Sequence, residues 1–181
     1  MNTPSRRADA TENRARILRI AREVIANADD VRLNEIAKQA GVGQGTLYRH
    51  FPTREALLSE VYRQDVDDLV AAAPELLAGH PPVAALARWL DRVAEYAKVK
   101  RGVFAAVEAG VWRDLSAHSL GPIGDALTML LDAGKADGTV RADVDARDII
   151  LLLGYLTRLE QAEWDTRARR VLHLILNGVL V

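Results

Sequence analysis

Apolar residues recur at helical spacing along most of this chain, and nowhere do they alternate long enough to suggest a strand. Residues 1–10 are polar and arginine-bearing and read as an arm. From about Thr11 to Asn27, Ile17, Leu18, Ala21, Val24 and Ile25 form the apolar stripe of an amphipathic helix, which Ala28-Asp29-Asp30 breaks. Two short helices follow within Leu33–Leu58. Thr53 then caps a long helix through Leu57, Leu58, Val61 and Leu69 to about Ala73, and Pro74 and Gly79-His80-Pro81-Pro82 punctuate the chain. Leu86, Trp89, Leu90, Val93 and Tyr96 predict a helix ending near Lys100-Arg101-Gly102, and Phe104, Val107, Val111 and Trp112 mark another. Gly121-Pro122 starts a helix through Ile123, Leu127, Leu130 and Leu131 that Gly138 closes. Asp143 or Asp145 caps a helix reaching about Gln161, and a last helix runs from about Asp165 to Gly178. The expectation is an all-α protein of about nine helices.

The segment from Leu33 to Leu58, LNEIAKQAGVGQGTLYRHFPTREALL, organises the rest. Ile36, Ala37 and Ala40 share one face of its first helix. Gly41 supplies the left-handed stop, and Val42 can tuck between the helices. The second helix, about Gln44 to His50, turns only Leu47 inward, with Phe51 one turn later. Gln44, Gly45, Tyr48 and Arg49 face outward, with Thr46 and His50 at the edges. Seven residues with so little apolar surface do not build a core. They suit a helix presented to DNA.

The last two helices have the opposite character. Ile149 to Leu153 is apolar all round, and Val171, Leu172, Leu174, Ile175 and Leu176 cover more than half of the final helix. A helix apolar on every side needs neighbours on every side. This predicts a two-fold homodimer through a four-helix interface containing Ile149, Leu152, Leu156, Leu172, Ile175 and Leu176. The plainer alternative places these residues in the core of a single chain.

Composition narrows the functional classes. With 49% hydrophobic and 27% charged residues in 181, the chain can bury a large core. The absence of cysteine excludes disulfides, thiol nucleophiles and cysteine–zinc sites, and fits a cytoplasmic location. No secretory signal is visible, and the longest apolar run, Ile149 to Leu156, is too short to cross a bilayer, so no membrane partner is expected. The net charge of −1 hides an asymmetry. Six arginines face two acids in residues 1–22, whereas 14 basic side chains face 17 acidic ones in residues 61–181. A basic end on a mildly acidic body suits a protein that meets phosphate with one end. The four histidines lie far apart, and no metal-binding, phosphate-loop or nucleophile-elbow pattern occurs, so no metal, cofactor or catalytic residue is assigned. Glu108, beside Phe104 and Trp112, is the one acid on an aromatic stripe. With Trp89, Tyr96, Met129 and Tyr155, these residues could line a cavity for a small apolar ligand, although aromatics at helical spacing are more often core.

The elements IA-x-x-AGV, then G-T-L-Y-x-H-F, then R-E-A-L-L resemble the helix-turn-helix of the tetracycline-repressor (TetR) family of bacterial regulators. The resemblance covers about the first 60 residues and implies a dimeric, ligand-responsive transcriptional regulator of double-stranded DNA. It divides the chain into a helix-turn-helix head, residues 1–53, and an effector-binding and dimerisation body, residues 54–181. Arg32 and Gly43 stand where the family often has hydroxyl residues, removing two phosphate-contacting groups. Carried onto matching positions, the resemblance makes Gln44, Gly45, Thr46 and Tyr48, with Asn34, the base readers of a palindromic operator. It makes Thr46, Arg49, His50 and Arg54 the phosphate holders. Gln44 suits a bidentate pair with adenine, and Tyr48 or Thr46 a thymine methyl. Two rivals stand beside a repressor released by an apolar effector: a helical enzyme with an incidental head, and a regulator with a filled core that answers a protein partner or nothing.

Overall fold

A computed structural model describes residues 3–27 and 32–181; Met1, Asn2, the predicted break at Ala28-Asp29-Asp30 and Val31 lie outside the described residues. These hold eight α-helices and no strand: α1 (Thr3–Asn27), α2 (Leu33–Gln39), α3 (Gln44–His50), α4 (Arg54–Gly79), α5 (Pro82–Ala106), α6 (Ala109–Ala136), α7 (Ala146–Gly154) and α8 (Trp164–Val179). Short 3-10 turns at Tyr155–Arg158 and Gln161–Glu163 link the last two helices. Among the described residues the all-α class holds, with eight helices rather than nine. The arm expected over residues 1–10 is instead the first part of α1 from Thr3 onward.

Helices α4, α5 and α6 pack on one another to form the body, and α1 lies across α4 and α5. One apolar core runs from Ile17, Ile25, Ile36 and Leu47 in the first three helices through Leu57, Trp89 and Leu127 to Leu172. The stripes predicted in α1, α4, α5 and the second half of α6 turn inward, because burying a large apolar side chain is worth about 1.5–3 kcal/mol. The stripe expected over Phe104 to Trp112 instead straddles the break between α5 and α6, with Phe104 exposed and Val107, Val111 and Trp112 half-buried. Trp89 is fully buried, and its indole N–H donates to the Leu69 carbonyl at 2.9 Å, which satisfies its polar atom inside the core.

Three expected breaks are absent, each for a tertiary reason. Pro74 lies inside α4, with its ring exposed to water and Ala72, Ala73 and Leu76 buried around it. Gly121-Pro122 falls within α6, where Leu115, Ser119, Ile123 and Leu127 keep one buried face in register across it. An interior proline costs about 3 kcal/mol, and the burial on either side outweighs it. Gly102 does not stop α5; it lets α1 approach. A Cβ there would lie 2.4 Å from the Ile25 carbonyl oxygen and 2.7 Å from its Cγ2. In the other direction, the helix capped by Asp145 is short. Asp145 accepts from the Arg147 N–H at 2.6 Å, but α7 stops at Gly154 rather than near Gln161.

Polar contacts tie α1 to α4. Arg14 pairs with Glu60, and Arg22 with the buried Asp65, whose second carboxylate oxygen has no partner. Burial pushes the Asp65 carboxyl above the usual range, and the Arg22 guanidinium only partly offsets it. At the far end, the Arg141 N–H donates to the Val179 carbonyl and the Val181 N–H to the Thr139 carbonyl, stitching the C-terminus to the segment after α6.

Candidate functional site

The α2–turn–α3 unit is built as its residues dictate. Ile36, Ala37 and Ala40 are buried. Gly41 adopts φ of 64°, and the Val42 and Gly41 N–H groups donate to the Ala37 and Lys38 carbonyls at 3.0 and 3.1 Å. That paired closure needs a left-handed residue, which glycine supplies without Cβ strain. Neither α2 nor α3 has a side-chain N-cap, in keeping with Arg32 and Gly43 at those positions. Phe51 is extended ahead of Pro52, which stops α3, and Thr53 caps α4 by accepting from the Ala56 N–H at 3.1 Å.

On α3 only Leu47 is buried. Gln44, Gly45 and Arg49 are exposed, Tyr48 is 45% exposed, and Asn34 is exposed on α2. Thr46 and His50 are half-buried, with the His50 ring 6.3 Å from that of Phe51. The Arg49 guanidinium bonds back along its own helix, to the Gly45 carbonyl at 2.9 Å and the Thr46 hydroxyl at 3.3 Å. Arg54, expected to hold a phosphate, stands at the start of α4. Half-buried, it donates to the Ala106 carbonyl at 3.2 Å, which ties the start of α4 to the end of α5.

The proposed ligand residues do not converge. Trp89 is core. Phe104 and Met129 are more than or nearly half exposed, and Glu108 is an exposed residue preceding α6 that makes no capping bond. Trp112 is half-buried, edge-on to Phe104 at 5.2 Å and to Tyr62 at 5.5 Å. Tyr155 lies on the far C-terminal face. Two other spaces open in the body. A cleft of about 420 Å³ lies between α4 and α6, with Tyr62 and Ser119 in its wall and Arg63, Asp67, Asp114 and His118 in its lining. A smaller cavity of about 220 Å³ lies among α4–α7, lined by Leu69, Val93, Ile123 and Leu153 with Tyr96, Lys100 and Thr157.

A hydroxyl chain joins the walls of the two spaces. Ser119 donates to the Ser116 carbonyl at 3.0 Å, so Tyr62 donates to Ser119 at 2.8 Å and Tyr96 to Tyr62 at 2.9 Å. Burial pushes the Tyr96 phenol well above its ordinary range. Lys100 lies 5.8 Å from the ring centres of Tyr96 and Trp112, and burial lowers its ammonium. Of the aromatics expected to line a cavity, Tyr96 does so. Sequence reading missed Tyr62, Lys100 and Ser119, because three helices must pack before they meet.

The residues predicted to hold two copies together divide. Ile149, Leu156, Leu172 and Ile175 are buried within the chain itself, so their apolar side chains serve its own core; Leu176 is half-buried. Of the six, only Leu152 stands exposed, at 52%, beside Leu151 at 63%, Tyr155 at 65% and Leu174 at 66%. A shallow groove of about 580 Å³ runs past Leu152, Tyr155 and Leu174.

Residues 17–61 match the family described as bacterial regulatory proteins, tetR family, and residues 81–181 match the C-terminal domain of SbtR-like transcriptional regulators. A TetR transcriptional regulator of Streptomyces coelicolor is 37% identical, covering 92% of this chain and 98% of that one, with a TM-score of 0.77. A TetR transcription regulatory protein of Mycobacterium vanbaalenii is also 37% identical over 97% and 99% of the two chains, at 0.75. An HTH-type transcriptional regulator of Staphylococcus aureus is 31% identical over 107 residues. The chain spans 58% of the length of that relative.

Proposed function

We propose that this chain, which belongs to the TetR family of bacterial transcriptional regulators, is a homodimeric repressor released from a palindromic operator by a small molecule. Membership makes it a DNA-binding regulator and removes the enzyme reading. In the proposed division, residues 1–53 read DNA and residues 54–181 bind the effector and the second copy. The observation that carries the operator reading is the outward face of α3, where Gln44, Gly45, Tyr48 and Arg49 are exposed on a helix that buries only Leu47. Base edges are reached from such a face when the helix lies in the major groove. Gln44, Gly45, Thr46 and Tyr48, with Asn34, are assigned to bases. Arg49, Thr46 and His50 are assigned to phosphates, and Arg54 to the packing of α4 on α5.

The second copy covers Leu151, Leu152, Tyr155 and Leu174, because a face with four large apolar side chains more than half exposed is characteristic of an interface. The effector enters the helical body and favours a spacing of the two heads that does not fit successive major grooves. The protein acts in the cytoplasm; no helix among the described residues is long and apolar enough to cross a membrane. Selection of bound DNA from a random pool tests the reading. Enrichment of two inverted half-sites is expected, and a pool that stays random after repeated rounds contradicts it.

A further inference from the structure

Among the described residues lining the α4–α7 cavity, Lys100 is the polar group whose donors are uncommitted. The Tyr96 hydroxyl gives its proton to Tyr62, and the Thr157 hydroxyl gives its own to the Gly154 carbonyl at 2.9 Å. The Lys100 ammonium faces only the rings of Tyr96 and Trp112, each at 5.8 Å. Glu95, five residues earlier and so on a different face of α5, is engaged by Lys98 at 3.3 Å. Burial alone acts on Lys100, with no carboxylate offsetting it. The remaining lining is apolar, including Leu69, Ile123 and Leu153. A half-buried cation with ring faces in place of a counter-ion is under-compensated, since charge taken out of water needs an opposite charge or hydrogen bonds.

We infer that this cavity binds a small carboxylate with an apolar tail, its carboxylate meeting the Lys100 ammonium and its tail lying along Leu69, Ile123 and Leu153. The inference rests on the reading that the body holds an effector, and it names the chemical class: an amphipathic organic anion. At about 220 Å³ the space suits a chain or ring system of roughly ten non-hydrogen atoms. The cation disfavours amines in the same place. Tyr96, which donates inward, presents only lone pairs to the cavity and would repel a carboxylate placed on it, so Lys100 sets the position of the charged end.

The test compares octanoate, octanamide and octylamine on the full-length dimer by calorimetry, with DNA release measured separately. Octanoate is expected to bind best and octylamine worst. Lys100→Gln should weaken octanoate about tenfold or more while leaving octanamide near its wild-type affinity, because the substitution removes only the charge-assisted hydrogen bond. Lys100→Arg should retain octanoate binding, and unliganded DNA affinity checks that each variant is folded. Octanoate binding no tighter than octanamide, no octanoate binding at millimolar concentration, or an unchanged octanoate affinity in a folded Lys100→Gln overturns the inference. If octanoate binds through Lys100 but leaves DNA affinity untouched, the site stands and the effector-release reading falls.

Discussion

Two outward faces of this molecule are left unsatisfied by its own fold, and their chemistry is opposite. The face of α3 offers an amide, a phenol, a guanidinium and a bare glycine backbone, all donors, acceptors or openings for close approach. The face of α7 and α8 offers Leu151, Leu152, Tyr155 and Leu174. Neither helps a single chain to fold. The polar face loses little in water and can exchange its hydrogen bonds for those of base edges and phosphates. The apolar face gains by leaving water, which a second copy allows. The comparison teaches that the polarity of a surplus surface identifies the class of its partner before any partner is seen.

The largest expected effect breaks the apolar face. Leu152→Asp places a charge on an exposed position and should give a folded monomer in sedimentation. DNA affinity should fall by about a hundredfold or more as the two half-sites cease to be bound together. Ile175→Asp provides the contrast. That side chain is buried in the protomer, so it should lower Tm steeply and unfold the chain, because an unpaired buried charge costs several kcal/mol. If both variants are folded monomers, the division of the C-terminal residues between core and interface is wrong.

A smaller effect falls on the link that holds the two faces in register. Gly102→Ala drives a methyl into the Ile25 carbonyl, where α1 crosses α5, and should destabilise by about 1–3 kcal/mol in denaturant unfolding. An unchanged midpoint would show that the crossing is loose.

On the polar face, Arg49→Ala should weaken specific and scrambled DNA alike. It should also flatten the salt dependence by about 0.9 for each phosphate no longer neutralised, one in each half-site. Arg54→Ala should leave that slope unchanged, because its guanidinium reaches Ala106. Equal slopes for Arg49→Ala and wild type would remove Arg49 from the phosphate set.

The smallest effect lies between the faces. The Lys100 ammonium is lowered by burial, so in the window just below the lysine range the unfolded chain binds more protons than the native one. Stability should therefore gain from this group as pH rises toward about 10.4, and Lys100→Gln should lack that gain. Tm profiles that run parallel for the two proteins would contradict it.

The head was legible in the sequence because its determinants are local. Gly41 must be left-handed, Pro52 must follow an extended residue, and Leu47 is the only inward side chain that a seven-residue helix needs. The body was less legible. Gly102 and Gly121-Pro122 carry the same local signals as true stops, and only the crossing of α1 and the buried stripe of α6 reveal that the helices continue. The apolar C-terminal residues announced a need for neighbours on all sides, but not which neighbours. Ile149 and Ile175 found theirs within the chain, while Leu152 did not. The hydroxyl chain of Tyr96, Tyr62 and Ser119 was beyond spacing arguments, since Tyr62 meets partners 34 and 57 residues away.

The central claim is that the exposed face of α3 reads sequence, and Gln44→Ala tests it most directly. On the selected site the variant should bind about 1–3 kcal/mol more weakly per half-site and lose preference at one base pair of each, with its affinity for scrambled DNA unchanged. A variant that keeps the full preference of the wild type at every position of the site would contradict the claim.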